Sequence, residues 1–359
     1  VLRQAEYPAW RFLFRGYLMA AAFTVCIVGP GSLVGETLLE ILEARVFPIS
    51  DLHVVDQTAK AGENVVYRSE DYTVQDIAEF DFGSCQLVFF CGDRALAEEY
   101  VPQAAEAGAV VIDDSDAFRH DPDVPLVVPE VNGMELAGYE SRRIIANPNS
   151  CAIIMALALK PINDTAGLSR VNAVTIQAVS GAGRAAVQEL AQQSIGLFNH
   201  KPVENEVFPK QIAFNLLPQV GGLDNNGVSG EEIKIMTELQ RILQNHQMGV
   251  NVTAVRAPVF YGHSIALHIE TERKLSQDGA RQALETAPGI VLYEADEAGG
   301  YPTPMVEAAA NDPVFVGRVR EDASHPHGLD FWAVGDNMRK GGALNMVQIA
   351  EMLVEKYLG

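Results

Sequence analysis

The chain is short of positive charge. Lysine and arginine number 26 against 47 aspartates and glutamates, a formal net charge of −21. That balance excludes a general electrostatic attraction for nucleic acid or for an anionic membrane, so neither is expected as a partner. A small anion can be held only by a local cluster of Arg, Lys and helix N-termini. Cysteine is scarce too, with Cys26, Cys85, Cys91 and Cys151 the whole set. None forms a CxxC pair or a metal-like group with histidine, so no metal site is expected. His325 and His327 flank Pro326 in a polar loop that offers no further ligands. Sparse, unpatterned thiols suit a reducing, cytoplasmic compartment. Long apolar runs are also missing. The longest, residues 20–29, falls well short of the roughly 18 residues of a membrane span and reads as a buried strand with its lead-in. No internal repeat and no low-complexity linker is present. Residues 1–18 are aromatic-rich but lack the apolar stretch and cleavage site of a signal peptide; they read as an extension upstream of the first domain, with Met19 as its expected start.

What is present is an ordinary globular composition, 48% hydrophobic and 20% charged, over 359 residues, enough for two domains. From Phe23 the order is strand, glycine turn, helix: "FTVCIV", "GPGSLVG", "ETLLEILEARV". "LHVVD", "CQLVFFC" and "AVVIDD" continue as strands, with "AEEYVPQAAEAG" a helix among them. Alternation of helices with near-continuous apolar strands predicts an α/β, doubly wound parallel sheet over residues 19–150. Beyond residue 150 the texture changes to long strands with separate helices, an α+β domain over residues 151–335. "VNVTAVRAPVFYGHSIALHIE" reads as one long strand broken by Pro258 and Gly262. An amphipathic helix within residues 336–359 is expected to return to the first domain.

Gly29, Gly31 and Gly35 fit GxGxxG, and Ser32, Leu33 and Val34 complete the turn between a strand and a helix. Glycines there let the backbone approach a pyrophosphate whose charge the helix N-terminus favours. Asp56 ends the second strand, 21 residues after Gly35, where a carboxylate holds a ribose 2′-hydroxyl and repels a 2′-phosphate. This leans toward NAD, with Lys60 nearby as a counterweight. In "NPNSC" two nucleophile candidates, Ser150 and Cys151, stand at a helix start. A thiol at a helix N-terminus has its pKa lowered, and Cys151 alone of the four sits that way. His263 beside Gly262 is an acid/base candidate, and His268, five residues on, faces the other side of the strand. Arg119, Lys234 and Arg256 together suit an acidic, phosphorylated substrate. Glu231 shares a helix face with Lys234.

These segments, in order, carry a family. "IVGPGSLVGETLLEILEARVFPISDL", "VVIDDSDAFRHDPDVPLVVPEVN", "NPNSCAI", "IQAVSGAGR", "EEIKIMTE", "RAPVFYGHS" and "DNMRKGGALNMVQIAE" make the chain resemble aspartate-β-semialdehyde dehydrogenases from about Thr24 onward. The resemblance implies a Rossmann-like first domain, a substrate and dimerisation domain, and a homodimer or dimer of dimers. It implies reduction of aspartyl 4-phosphate to aspartate 4-semialdehyde with NADP or NAD, through an acyl-enzyme and with release of phosphate. It further implies that Arg119 and Lys234 bind phosphate, Glu231 the α-amino group and Arg256 the α-carboxylate. His263 would be the acid/base and Gln177 would orient the substrate. Ser180, Gly181 and Asn337, with the Gly31–Val34 turn, would contact the cofactor.

The family motif is Asn-Pro-Asn-Cys-Ser-Thr, and here it is Asn-Pro-Asn-Ser-Cys-Ala. Ser150 holds the nucleophile position and the cysteine comes one residue late, about 100° round the helix. "DQTAKAG" lacks the arginine with which the family often takes a 2′-phosphate, and "FFCGDRA" replaces a small-residue loop. The sequence therefore carries two main expectations, besides a third, a semialdehyde dehydrogenase with another substrate, against which the retained Glu231 and Arg256 argue. One is an active dehydrogenase with Cys151 reaching the site through a shifted helix start. The other is a Usg-type paralogue that keeps the fold and acts by binding.

Overall fold

The computed structural model describes residues 22–293 and 298–358. The extension expected at residues 1–18 lies outside them. Six parallel strands form the first sheet: β1 (Phe23–Val28), β2 (Ile49–Asp56), β5 (Gln75–Asp76), β6 (Leu87–Phe90), β7 (Val110–Asp113) and β8 (Ile144–Ala146). A hairpin, β3 (Asn64–Tyr67) and β4 (Glu70–Thr73), projects between β2 and β5. The order β5-β2-β1-β6-β7-β8 makes the chain leave β1 on one side and return on the other. That reversal opens a crevice at the carboxyl ends of β1 and β6, the usual ligand position in such sheets. Helices α1 (Leu33–Ala44) and α2 (Arg94–Glu106) follow β1 and β6.

The glycine turn fills the crevice for steric reasons. Gly29 has φ +75°, and a Cβ on it would stand 2.8 Å from the Cys91 carbonyl oxygen. A Cβ on Gly35 would stand 2.3 Å from the Gly29 carbonyl oxygen. Ser32 caps α1, its hydroxyl accepting from Gly35 N at 3.0 Å and donating to Gly29 O at 2.8 Å.

Helix α3 (Ser150–Ala166) leads to the second sheet. Its strands are β9 (Leu168–Gln177), β10 (Gly249–Arg256), β11 (His263–Thr271), β12 (Ile290–Leu292), β13 (Val314–Glu321) and β14 (Gly328–Gly335), in the order β10-β9-β11-β14-β13-β12. Helices α4 (Arg184–Phe198), α5 (Gly230–Ile242) and α6 (Gln277–Glu285) belong to this half. Helices α3, α5 and α6 cover one sheet face. The final helix, α7 (Leu344–Leu353), joins the core of the first sheet, where Leu344, Met346 and Ile349 meet Val25, Leu38 and Phe89.

One expectation needs correction. The stretch around Pro258 is not one broken strand. β10 lies parallel to β9 on one side, and β11 lies antiparallel on the other. Proline and a positive-φ glycine (Gly262, +84°) turn the chain across the end of β9. Arg256 then pairs with Gln177, and Ser264 with Ile176. Gln177, Arg256 and His263 thus gather at one sheet end.

Gly35→Ala should destabilise the fold by about 1–3 kcal/mol, the cost of overpacking against a backbone atom. Urea denaturation reads it; an unchanged midpoint would mean that the turn can shift.

Candidate active site

A cavity of about 390 Å³ lies between the two sheets, lined by residues that include Val34, Arg119, Ser150, Gln177, Gly181, Glu231, Lys234, Arg256, His263 and Asn337. The turn after β8 builds one wall. Asn149 caps α3, its side-chain oxygen accepting from Cys151 N at 2.9 Å and Ala152 N at 3.3 Å. The helix starts at Ser150, which opens into the cavity. Cys151 is wholly buried, and burial pushes its thiol well above the ordinary value, opposite to the lowering expected of a helix N-terminus. The structure therefore does not bring Cys151 into the cavity through a shifted helix start. Desolvation outweighs the helix dipole once the side chain points into the core.

Arg256 is 5% exposed, donates to Ala178 O at 2.6 Å, and has no carboxylate ion-pair partner among the described residues. Gly181 faces it, and a Cβ there would stand 2.9 Å from the guanidinium. Glu231 accepts from Gln177 Nε2 at 3.2 Å and from Asn149 Nδ2 at 2.9 Å. Arg119 is buried, reaches Glu238 at 3.5 Å and donates to Asp114 O at 2.7 Å, while its Nε–H has no partner among the described residues. Lys234 pairs with Asp116 at 2.8 Å and lies 4.0 Å from Glu231. Buried donors of this kind, only partly paired, are arranged for an anionic ligand.

His263 Nδ1 accepts from Ala178 N at 3.1 Å. Burial and the neighbouring Arg256 charge push its pKa down to about 3, so the ring is neutral. A neutral imidazole that accepts at Nδ1 carries its proton on Nε2 and acts there as a donor. His268 is exposed on the other side of the strand and pairs with Asp330 at 2.8 Å. Ser180 and Asn337 hydrogen-bond each other, and Asn337 Oδ1 accepts from Gly262 N at 2.9 Å.

The nucleotide crevice adjoins this cavity through Val34. A Cβ on Gly31 would meet nothing within 4 Å. Packing does not require glycine there; open space for a phosphate does, so the turn fits a dinucleotide. Asp56 accepts from Gln57 N at 2.8 Å and pairs with Lys60 at 3.1 Å.

Several residues escaped the sequence reading. Glu238, two turns after Glu231, accepts from Asn149 N at 2.6 Å, and the spacing of seven on α5 was the available signal. Asp114 lines the cavity and accepts from Asn147 Nδ2 at 2.7 Å. From Asn147 a buried polar chain runs outward. Asn345 Nδ2 donates to Asn147 Oδ1 at 2.7 Å, and Lys340 Nζ donates to Asn345 Oδ1 at 2.9 Å and to Glu130 at 2.7 Å. Gly341, next to Lys340, lies so close to Ser150 that a Cβ on it would stand 2.7 Å from the serine Cβ.

Comparison with known proteins agrees with this geometry. The model for the semialdehyde dehydrogenase NAD binding domain matches residues 24–139, and that for the semialdehyde dehydrogenase dimerisation domain matches residues 159–340. Aspartate-semialdehyde dehydrogenase of Shewanella violacea is 47% identical over 94% of this chain and all of its own length. The chain belongs to the aspartate-semialdehyde dehydrogenase family. The Legionella pneumophila member is 45% identical over 95% of this chain and 98% of its own. The structure of aspartate semialdehyde dehydrogenase II of Vibrio cholerae, solved in complex with ASA, superposes with a TM-score of 0.92 at 43% identity, over 94% of this chain and all of that one. A Candida albicans member solved with NADP shares the fold, with a TM-score of 0.72 at 20% identity over 93% of this chain and 99% of that one. Membership in this family of nicotinamide-dependent oxidoreductases accounts for the NAD(P) turn lying beside a cavity lined by Arg119, Lys234 and Arg256.

Burial pushes Asp113 and Asp114, at the end of β7, up to about 6. Their folded pKa values exceed the unfolded ones, so their support for folding is full below about pH 4 and is lost as pH rises through 6. Asp113→Asn, neutral throughout, should gain on the order of 2 kcal/mol over the parent at pH 8 and nothing at pH 4. Denaturation across that range checks it; a difference independent of pH would contradict the raised values.

Proposed function

We propose that the chain interconverts aspartyl 4-phosphate and aspartate 4-semialdehyde with NAD(P) and phosphate, and that its acyl-enzyme forms on Ser150. The observation that carries this reading is Arg256, a buried guanidinium without an ion-pair partner among the described residues, facing the cavity that Glu231 and Ser150 also line. Arg256 takes the α-carboxylate, for which its fork is suited, and Glu231 takes the α-amino group. Arg119 and Lys234 hold the phosphate, with the free Nε–H of Arg119 as a ready donor. Gln177 keeps the substrate beside Ser150. The Ser150 oxygen attacks the acyl carbon, the C–O bond to phosphate breaks, and the hydroxyl proton leaves with the phosphate. His263 Nε2–H stabilises the oxyanion as a donor. A bound nicotinamide would supply a hydride to the acyl carbon; the ester bond to Ser150 then breaks and the serine oxygen takes up a proton from solvent as the aldehyde leaves.

This chemistry is slow on serine. His263, its Nδ1 engaged and its Nε2 protonated, takes no proton from Ser150, and a missing base costs about 10²–10⁴-fold. The same observation favours a second reading, a Usg-type protein that binds these ligands and turns over nothing.

The second-sheet face opposite α3, α5 and α6 leaves Val174, Ile176, Ala266 and Trp332 half-buried, with Ala266 paired to Val174 and Trp332. This apolar face supports a homodimer through the second domain. All four cysteines are free and buried, which suits the cytoplasm. Among the described residues no helix is long and apolar enough to cross a membrane.

Turnover is measured with aspartate 4-semialdehyde, phosphate and NAD or NADP. Cys151→Ala should leave it unchanged, and Ser150→Cys should raise kcat/KM by about 100-fold or more. Loss of activity in a folded Cys151→Ala protein would make Cys151 the nucleophile. Silence of both parent and Ser150→Cys, with ligand still bound, would select the binding protein. Ala266→Arg should yield a monomer in sedimentation; an intact dimer would put the second copy on another face.

A further inference from the structure

The end of β2 carries a charge arrangement that bears on which nicotinamide nucleotide the crevice accepts. Asp56 is the last residue of β2 and is 3% exposed. One carboxylate oxygen accepts from Gln57 N at 2.8 Å, and the other lies 3.1 Å from Lys60 Nζ. Lys60 sits in the single helical turn Thr58–Lys60 and keeps about half of its side chain in solvent. Thr58, the hydroxyl of the same turn, is engaged with Asp76 at 3.1 Å. Arg94, which opens the helix after β6, is spent on Glu98 at 2.8 Å and Asp116 at 3.5 Å.

In this topology the adenine ribose of a nucleotide seated on the glycine turn lies beside the end of β2. A buried carboxylate there accepts from ribose hydroxyls. A 2′-phosphate would set two further negative charges against it, and the neighbouring Lys60 ammonium is already paired with Asp56. Lys60 lowers the repulsion but does not replace Asp56 as the group nearest the sheet.

We propose that Asp56 makes this chain select NAD over NADP, and that Lys60, by pairing with Asp56, limits the margin. The inference rests on the nucleotide-binding part of the proposed function but not on turnover. It is tested on the full chain by isothermal titration with NAD and with NADP, without substrate. The parent should bind NAD about tenfold or more tighter than NADP, the scale of a hydrogen bond to a charged group. Asp56→Asn, which keeps the shape and removes the charge, should shrink that ratio about tenfold. Asp56→Ser should shrink it further, because Lys60 is then released to a 2′-phosphate. Adding Lys60→Ala to Asp56→Ser should remove the NADP gained. Thermal melting confirms that each variant is folded. Tighter binding of NADP by the parent, or a ratio that Asp56→Asn and Asp56→Ser leave unchanged, overturns the proposal while nucleotide binding stands. Binding of neither nucleotide by the folded parent overturns both.

Discussion

The buried ammonium of Lys340 is the interaction on which the site's geometry hangs. It is 1% exposed and meets Glu130, Asn345 and Gln348 at 2.6–2.9 Å. An ammonium taken out of water costs several kcal/mol unless its partners surround it, so these four side chains must be placed together or not at all. Asn345 passes that demand on to Asn147, and Asn147 to Asp114. The glycines after Lys340 inherit it as well. Gly341 abuts Ser150, and Gly342 lies beside Val34 of the nucleotide turn. One buried ion thus bears on where Ser150 stands relative to the crevice.

The second constraint is the sheet register around β9. Two strands that follow each other in sequence flank it on opposite sides. This delivers the Arg256 guanidinium and the Nε2–H of His263 to the same end. The backbone N–H of Ala178 fixes the histidine, and the backbone carbonyl of the same residue fixes the arginine. A single residue following β9 orients both groups, so their relation is a property of the backbone rather than of flexible side chains.

Much of this was legible in the sequence, and what was not has identifiable causes. The parallel sheet showed in the apolar runs and the nucleotide turn in its glycine spacing, because both follow from local rules. Arg119, Gln177, Glu231, Lys234, Arg256 and His263 meet in one cavity. Their grouping came from an ordered set of family segments, since spacing alone brings no residues together over such distances. The course of β10 and β11 was missed because alternation of apolar residues is the same on either side of a partner strand. The buried chain from Asp114 to Glu130 left no trace, because polar side chains 5–210 residues apart signal burial only once their partners are known. Which of Ser150 and Cys151 faces the cavity depended on where the helix begins, and Asn149 settles that by capping it.

Consider finally the exchange of serine and cysteine at that helix start. Every sulfhydryl of the described chain lies in the core, and the wall of the cavity carries an alcohol, Ser150, beside the buried thiol of Cys151. A pocket lined in this way offers no thiolate to the electrophiles that silence thiolate enzymes, although Met338 in its lining still carries an oxidisable thioether. What the exchange gives up in nucleophilicity it returns as resistance to alkylation and thiol oxidation at that position.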